Sequence, residues 1–339
     1  MKIITIGGAT QDSIALYKNQ KNVELETKEG KKLFLALEEG KKIDIQTLHQ
    51  STGGGATNTA VSFKRLGFET TIICKVGTDS QADLITQELQ KESVNINYII
   101  RNQKEPTGFS FIIPFEQTGD RVVLAARGAN KILSKQDIPF DVLKQQDWIY
   151  ISPLSGDAAH LLPIITDFAK QNKTPIAHNP SMSQLTKNIN TLKNSLKNID
   201  ILLLNAQEAE ALMSNIKGAS HLPQKHFRVI FKELLAEGPS VVVITDGKHG
   251  AYAASEENIY YHPSIIKDKI ENTLGAGDAF CSTFIAQIAQ SDTIESSLLM
   301  STINASSVIS YPDTKTGLLK RKEIESRAEG DSMLQIFKL

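Results

Sequence analysis

From Trp148 onward, short apolar stretches alternate regularly with longer segments in which apolar residues recur at helical spacing. The short stretches have the length and composition of buried β-strands. Strands that alternate with helices form a mostly parallel sheet with right-handed crossovers and helices on both faces. The sequence therefore predicts an α/β fold. The predicted strands of this half are 148–151, 175–178, 201–204 and 241–245, and the predicted helices are 158–170, 185–196, 206–213, 223–236, 294–310 and 322–327.

The first half has the same alternation, interrupted by two segments with an antiparallel pattern. Residues 23–37 alternate in polarity around a central glycine, which is typical of a hairpin with one apolar face, and residues 107–125 repeat the pattern with a turn at 117–120. We expect the two segments to meet as one flap that excludes water from a site. The other elements predicted here are strands at 2–6, 70–76 and 95–100, a helix that ends at Gly67 and a helix at 82–92.

Length and composition limit the classes of protein. The chain has 339 residues, 40% of them apolar, which predicts one large α/β domain with an appendage, or two domains. A net charge of −1 gives no electrostatic basis for binding nucleic acid or an anionic membrane. No apolar run reaches membrane-spanning length, and the N-terminus has the pattern of a strand and turn rather than of a signal peptide. Cys74 and Cys281 lie far apart in apolar runs, so we expect buried, reduced thiols in a cytoplasmic protein.

A Gly-Ala-Gly-Asp sequence at 275–278 precedes an apolar segment of helical periodicity, which predicts a helix that begins near Ala276. The start of a helix has backbone N–H groups without intrahelical acceptors and carries partial positive charge. Glycines there allow a phosphate to approach the backbone closely. A carboxylate among those donors, such as Asp278, should stay ionised near neutral pH. These residues fit either an anion cradle with a built-in general base or a plain helix N-cap.

Glycines and polar residues also follow several predicted strands at the point where each strand ends. Taken singly, each group is explained equally well by turn and capping chemistry. Because the carboxyl ends of parallel strands meet at one edge of a sheet, the groups together predict a crevice of the kind that holds a nucleotide. They are Gly7-Gly8 with Asp12, Asn205 with Glu208, and the glycine turn 246–250. The three glycines 53–55 instead precede a predicted helix that has Asn58 in its first turn, and they fit either close approach of the backbone to a ligand or a flexible hinge.

Short motifs occur in this order along the chain: Gly7-Gly8 with Asp12, Gly53-Gly54-Gly55-Ala56-Thr57-Asn58, Val76-Gly77-Thr78-Asp79, Pro106-Thr107-Gly108, Gly128-Ala129-Asn130, Asn205 with Glu208, Thr245 with Gly247 and Gly250, and Gly275-Ala276-Gly277-Asp278. In this order they resemble the ribokinase-like (PfkB) carbohydrate kinase family over essentially the whole chain. The resemblance implies a three-layer αβα sandwich with a mostly parallel sheet and a small antiparallel β lid. It implies a single catalytic domain, 1–339, with lid insertions at about 13–50 and 106–127.

The resemblance further implies a phosphotransferase that moves the γ-phosphoryl group of ATP to an alcohol group of a sugar or sugar-like molecule. Asp278 would take the proton of that hydroxyl, and its backbone amide and those of Gly275, Ala276 and Gly277 would stabilise the negative charge on the phosphoryl group. Glu208 would order a Mg²⁺ ion through water. The residues assigned to the acceptor are Asp12, Gly54, Gly55, Asn58, Arg127 and Asn130, and those assigned to the nucleotide are Asn205, Thr245, Gly247, Gly250 and Asn304.

The chain departs from the family pattern beside the Gly-Ala-Gly-Asp motif. Asn272 stands where the family usually has an aspartate, which in many members helps to bind an activating monovalent cation. Asp313-Thr314 replaces a common Gly-Ala in a loop that often contributes to the same site. These departures fit either loss of activation by K⁺ or compensation for the lost carboxylate by Asp313.

The acceptor and the assembly are the least constrained features. Arg127 fits either an anionic group on the substrate or an ordinary surface position. A nucleoside is an alternative acceptor, because Phe34, Phe109 or Phe111 could stack on a base, although such residues also simply bury a sheet face. A catalytically silent sugar-binding regulator is a third possibility, which retention of Asp278 disfavours. An exposed apolar lid face would need cover, so we expect a homodimer through the lid.

Overall fold

The computed structural model describes residues 1–17, 20–27, 30–115, 121–217, 226–265, 270–329 and 335–338. The strands are β1 (Lys2–Ile6), β2 (Thr10–Leu16), β3 (Lys21–Thr27), β4 (Gly30–Ala36), β5 (Thr47–Gly53), β6 (Glu69–Val76), β7 (Asn95–Arg101), β8 (Gly108–Pro114), β9 (Arg121–Ala126), β10 (Trp148–Ile151), β11 (Ile176–His178), β12 (Ile201–Asn205), β13 (Val241–Thr245), β14 (Ala251–Ala254), β15 (Asn258–His262) and β16 (Gln335–Lys338). The helices are α1 (Gly55–Arg65), α2 (Ser80–Lys91), α3 (Phe140–Leu143), α4 (Leu161–Asn172), α5 (Met182–Thr186), α6 (Ile189–Leu196), α7 (Ala206–Lys217), α8 (Phe227–Ala236), α9 (Ala276–Ala289), α10 (Ile294–Val308) and α11 (Arg321–Ala328).

Ten of these strands form one large sheet in the order β16-β15-β14-β13-β12-β11-β10-β1-β6-β7. The strands from β13 to β7 run parallel, and β14, β15 and β16 add an antiparallel edge. The chain starts in the middle of the sheet, moves outward through β6 and β7, and then returns to build the other half from β10. The order of the strands therefore reverses between β1 and β10, and ligands of open α/β sheets bind at such a point.

Alternate residues of each central strand pack on opposite faces of the large sheet, because side chains alternate along a strand. In β1, Ile4 packs in a core with α4 to α8, whereas Ile3 packs in a second core with α1, α9, α10 and α11. In β12, Leu202 likewise packs in the first core and Leu203 packs in the second. Helices thus cover both faces, and the predicted three-layer α/β sandwich with a mostly parallel sheet is confirmed.

A smaller sheet has the order β5-β2-β8-β9. Its outer pairs are antiparallel, and its central strands β2 and β8 run parallel. The predicted hairpin at 23–37 is present as β3 and β4, but these strands form a separate two-stranded sheet. The expectation that this hairpin joins the 107–125 segment in one flap is therefore wrong. The partner of that segment is β2, which directly follows the Gly7-Gly8 turn.

Most predicted elements are present with shifted ends. The predicted helix 185–196 is divided into α5 and α6, and the predicted helix 158–170 is a 3₁₀ turn at Gly156–His160 followed by α4. α8 starts at Phe227; the first residues of the predicted 223–236 helix, like the predicted turn at 117–120, lie outside the described residues. The sequence patterns missed β2, β5, α3 and the antiparallel edge β14 to β16.

Both cysteines match the expectation from sequence, since Cys74 and Cys281 are free and buried. Burial raises the pKa of the Cys74 thiol to about 12, so it is an inert apolar side chain. Within the described ranges, no helix combines the length and the apolar character that crossing a membrane requires.

Candidate active site

The predicted glycine cluster at 53–55 brings the start of α1 against the ends of β1 and β10. Gly54 precedes α1 with a φ of 97°, and a Cβ on it would lie 2.5 Å from the carbonyl oxygen of Gly8. A Cβ on Gly55 would lie 2.9 Å from the Cβ of Ser152. The Ala56 N–H donates to the Gly8 carbonyl at 3.1 Å. These glycines are required by close packing of backbone at the point where the strand order reverses.

α9 begins at Ala276, as predicted, and presents its first turn at the same edge of the sheet. The first intrahelical hydrogen bond runs from the Ala279 N–H to the Gly275 carbonyl at 2.9 Å, so the three preceding N–H groups have no intrahelical acceptor. Gly275 has a φ of 77°, and a Cβ on it would lie 2.7 Å from the Cβ of Thr314. A Cβ on Gly277 would meet no atom within 4 Å among the described residues. The protein leaves room at Gly277 for a bound group.

Asp278 is held in the first turn of α9 by a chain of hydrogen bonds from two other segments. The Nδ2 of Asn58, in the first turn of α1, donates to Oδ2 of Asp278 at 2.7 Å. Thr314 in turn donates from Oγ1 to Oδ1 of Asn58 at 2.8 Å. The Asn58 amide is thereby fixed in one orientation, with its N–H group toward the carboxylate. This arrangement joins three motifs that are separated by up to 256 residues.

Asp12 is a second buried carboxylate of the site, and it comes from β2 in the smaller sheet. Its Oδ1 accepts a hydrogen bond from Oγ1 of Thr10 at 2.9 Å, and Ser110 on β8 provides another. A Cβ on Gly53 would collide with the Asp12 carboxylate, so this glycine is needed to seat it. Asp12 is paired in register with Ser51 on one side and Ser110 on the other. These three residues, here called the polar row, lie on one face of the smaller sheet.

Lys315 is a charged residue of the site that no sequence pattern singled out. It is 4% exposed, and its Nζ donates to the Glu88 carboxylate at 2.9 Å and to the Thr52 carbonyl at 2.9 Å. Burial lowers its pKa, while Glu88 and Asp12 oppose this change. The sequence offered no signal, because a lysine in a threonine-rich loop is typical of the surface.

Burial in the site raises the pKa of Asp278. Removal from water is the largest cause, the hydrogen bond from Asn58 opposes it, the charge of Asp12 adds to it, and Lys315 opposes it. The helix start was expected to favour the ionised form, but burial dominates. A raised pKa makes the carboxylate a better proton acceptor than an exposed aspartate.

Four of the five residues predicted for the nucleotide, Asn205, Thr245, Gly247 and Gly250, lie at or just after the ends of β12 and β13, whereas Asn304 is in α10. Asn205 and Thr245 are register partners on these adjacent strands. Asn205 and Glu208 exchange two hydrogen bonds, from the Asn205 N–H to Oε2 of Glu208 at 2.9 Å and from the Glu208 N–H to Oδ1 of Asn205 at 2.8 Å. This reciprocal pair is a capping box for α7. Burial nevertheless raises the pKa of Glu208 to about 7.

The turn after β13 is closed on itself. The Asp246 N–H donates to the Gly250 carbonyl at 2.8 Å, and the Gly250 N–H donates to the Gly247 carbonyl at 3.1 Å. A Cβ on Gly250 would lie 2.3 Å from the His262 carbonyl, whereas Gly247 has open space. Of the two predicted glycines, Gly250 is therefore required by packing against β15, and Gly247 lies at the surface beside Thr245.

Three other predicted site residues have different surroundings. Asn130 is buried and pairs in both directions with the backbone of Ala9, at 2.9 and 2.8 Å, so it holds the turn after β1. Asn304 is fully buried and bonds to Thr283 and to the Leu319 N–H, so its amide connects α10 to neighbouring segments rather than to the crevice. Arg127 is exposed after β9.

The aromatic residues considered for base stacking do not share a face with Asp12. Phe109 and Phe111 flank Ser110 on β8, and alternation of side chains places them on the opposite face of the smaller sheet. Phe34 is on the separate hairpin and is 43% exposed.

Comparisons with known proteins identify the family of the chain. The model of the pfkB family of carbohydrate kinases matches residues 20–321. A ribokinase of Staphylococcus aureus is 28% identical over 255 residues, which cover 74% of this chain and 80% of the relative. A putative ribokinase II of E. coli, solved with ATP and Mg²⁺, superposes with a TM-score of 0.77 at 21% identity and covers 97% of this chain and 99% of its own. A nucleoside kinase of Methanocaldococcus jannaschii, described as an archaeal member of the ribokinase family, superposes with a TM-score of 0.75 at 19% identity and covers 97% and 98%. The chain belongs to the pfkB family of carbohydrate kinases, phosphotransferases whose acceptor is an alcohol group.

Proposed function

We propose that the protein transfers the γ-phosphoryl group of ATP to a hydroxyl group of a sugar or sugar-like molecule. The observation that carries the proposal is the position of Asp278. Its carboxylate lies in the first turn of α9, next to backbone N–H groups that have no intrahelical acceptor, and is oriented by Asn58. We take the chain, 1–339, as one catalytic domain with the smaller sheet as its lid.

The chemistry needs a proton acceptor for the attacking hydroxyl and positive partial charge for the phosphoryl group. Asp278 takes the hydroxyl proton, which its raised pKa favours. The amides of Ala276, Gly277 and Asp278, placed by the left-handed turn at Gly275, stabilise the charge that develops on the phosphoryl oxygens. Because the helix fixes these groups before the reaction, little reorganisation is needed in the transition state.

The nucleotide lies along the ends of β12 and β13 in this proposal, beside Asn205, Thr245, Gly247 and Gly250. The buried Asn304 is not among the direct contacts. Mg²⁺ is bound mainly by phosphate oxygens and water, so a single nearby carboxylate is sufficient on the protein side. Glu208 fits that role, because one oxygen is held by the Asn205 N–H and further lone pairs can accept from metal-bound water. When bound, the ion neutralises charge on the phosphates.

The acceptor lies between the lid and α1. Asp12 accepts from its hydroxyl groups, with Ser51 and Ser110 beside it in the polar row. Ser51 Oγ is buried and has no hydrogen-bond partner among the described residues, which suits a hydroxyl-rich ligand. Gly54, Gly55 and Asn58 provide the opposite wall. The polar row favours a sugar over a nucleoside, because Phe109 and Phe111 face away from Asp12.

Consumption of ATP over a panel of pentoses, hexoses, sugar acids, sugar phosphates and nucleosides tests the proposal. We expect turnover with at least one sugar or sugar derivative and much weaker turnover with nucleosides. Preferred turnover of a nucleoside would make the protein a nucleoside kinase of the same family. Sugar binding without turnover of any acceptor would instead support a silent regulator.

We also propose a homodimer through the lid. The face of the smaller sheet opposite the polar row carries Leu48 and Leu124, which are 51% and 57% exposed, beside Phe109 and Phe111. A second copy would cover this apolar face. Light scattering after size-exclusion chromatography should give twice the chain mass, and Leu124→Asp should give the monomer. A monomeric wild-type protein would contradict the dimer.

A further inference from the structure

Asn272 connects two loops beside the anion cradle. It is 5% exposed, and its Nδ2 donates to the carbonyls of Pro312 at 2.6 Å and of Tyr311 at 3.2 Å. Its Oδ1 accepts from the Leu274 N–H at 2.6 Å. Only this orientation of the amide places a donor toward the carbonyls and an acceptor toward the N–H group. The side chain therefore bridges the loop before α9 and the loop after α10.

This donor set does not fit a bound monovalent cation. A K⁺ ion in a protein is held by carbonyl and carboxylate oxygens, and here an N–H group already occupies the carbonyls of Tyr311 and Pro312. The carboxylate of Asp313 is engaged by donors of its own loop. Its Oδ1 accepts from the N–H groups of Lys315 and Thr316, and its Oδ2 accepts from Oγ1 of Thr316.

We infer that Asn272 replaces, in one neutral side chain, a carboxylate and its monovalent cation, so that the enzyme is independent of K⁺. A carboxylate with a bound cation and a carboxamide both have zero net charge. The carboxamide oxygen accepts from the loop before α9, and its N–H groups present to the two carbonyls the partial positive charge that a cation would otherwise supply. The inference rests on the proposed kinase function for its kinetic consequences only.

The hydrogen bonds of Asn272 affect the reaction through the loop after α10. That loop contains Thr314, which orients Asn58 and contacts Gly275. Asn58 in turn donates to Asp278. Asn272 is thus a positioning residue for both the general base and the cradle, and its function is to keep Thr314 in place without an ion.

The experiment compares wild type and Asn272→Asp in buffers that contain either K⁺ or tetramethylammonium as the only monovalent cation. Asn97→Asp, on the exposed edge strand β7, is the matched control. Both kcat and the midpoint of thermal unfolding, Tm, are measured. Tm needs no turnover, so it separates failure of this inference from failure of the proposed function.

For wild type and the control we expect kcat to agree within about twofold between the two buffers, and Tm not to depend on K⁺. In Asn272→Asp a carboxylate oxygen faces two carbonyls without a proton between them. We therefore expect kcat in tetramethylammonium to fall by about tenfold, and K⁺ to restore kcat and raise Tm. K⁺ activation or K⁺ stabilisation of wild type would overturn the inference, as would an Asn272→Asp variant that retains full activity without K⁺. If that variant fails to fold, the wild-type comparison alone decides.

Discussion

The cradle at the start of α9 and the lid sheet differ in how they are built. The cradle is four consecutive residues, Gly275 to Asp278, fixed by the geometry of one helix start. The polar row of the lid joins Asp12, Ser51 and Ser110, which come from three distant segments. In the proposed function, the chemistry common to the family is encoded locally, whereas recognition of the acceptor depends on strands that are far apart in the sequence. Substitutions in the cradle should therefore mainly lower kcat, whereas substitutions in the lid should mainly raise KM for the acceptor.

The largest expected effect is that of Asp278→Asn. Loss of the general base should lower kcat by about a thousandfold. Burial raises the pKa of Asp278, so its charge destabilises the folded state at a pH above its unfolded value. Tm of the variant at pH 8 should equal or exceed that of wild type. The exposed Asp44→Asn is the control, and a variant with near-normal kcat would refute the assignment.

Asp12→Asn should act mainly on the acceptor. We expect KM for the acceptor to rise by about a hundredfold, because a charged acceptor of hydrogen bonds is lost, with a smaller change in kcat. Ser13→Ala is the control, since Ser13 follows Asp12 on β2 but faces the other way. Equal losses in kcat for Asp12→Asn and Asp278→Asn would erase the distinction between lid and cradle.

Substitution of Gly277 should affect mainly kcat, whereas substitution of Gly275 should affect mainly the stability of the fold. Gly277→Ala adds a methyl group into open space, so we expect normal Tm and a kcat lower by about tenfold because the methyl group hinders the phosphoryl group. Gly275→Ala places a Cβ in the left-handed region and against Thr314, and should destabilise the fold by about 1–2 kcal/mol. Unchanged kcat in Gly277→Ala, measured at saturating ATP and acceptor, would remove the cradle from the mechanism.

Glu208 should make the stability of the fold depend on pH. Its folded pKa of about 7 lies above the ordinary value of 4.5, so its protonated form is favoured in the folded state. The wild-type fold therefore loses stability as pH rises from about 4.5 through about 7. Glu208→Gln keeps the capping box and should have a higher Tm than wild type at pH 8, but not at pH 4.5.

The Glu208 carboxylate should also affect the affinity of the protein for Mg²⁺. Only the ionised carboxylate attracts metal-bound water, so the apparent affinity of wild type for Mg²⁺ should fall as pH drops below about 7. In Glu208→Gln the affinity should be lower and nearly independent of pH in this range. A wild-type affinity that is constant from pH 6 to pH 8 would exclude Glu208.

The smallest effect is expected for Arg127→Ala. Arg127 is exposed after β9, so turnover of neutral sugars should change by less than about twofold. A marked increase in KM that is confined to acidic or phosphorylated sugars would identify Arg127 as a contact to an anionic acceptor.

The features that were predicted correctly from the sequence are those that a local pattern of residues determines. The parallel strands of the large sheet, the start of α9 at Ala276 and the position of Asn205 and Thr245 at one edge of the sheet follow from apolar periodicity and from strand ends meeting at one edge. β2 and β5 were missed because Thr10–Leu16 and Thr47–Gly53 are rich in polar residues, which β2 buries and β5 leaves largely accessible, so neither segment shows the apolar pattern of a strand. They are strands because β2 pairs with β8 on one side and with β5 on the other.

The charges of the site were less predictable than its backbone. Lys315 is buried by contacts with Glu88 and Thr52, which lie more than 200 residues away, and no local pattern signals such a lysine. Asn272 was recognised as unusual, but its hydrogen bonds to Tyr311 and Pro312 depend on the fold. Asn304 and Asn130 were assigned to the site by the family resemblance, and the buried hydrogen bonds that each makes to neighbouring segments could not be read from the sequence.

The most direct test of the central claim is calorimetric binding of the preferred acceptor to Asp278→Asn, alongside wild type. The lid holds the acceptor and the cradle transfers the phosphoryl group in this account, so the dissociation constant of the variant should match that of wild type within about threefold. An affinity that is weaker by more than about tenfold would contradict it, because Asp278 would then be a binding residue rather than the general base.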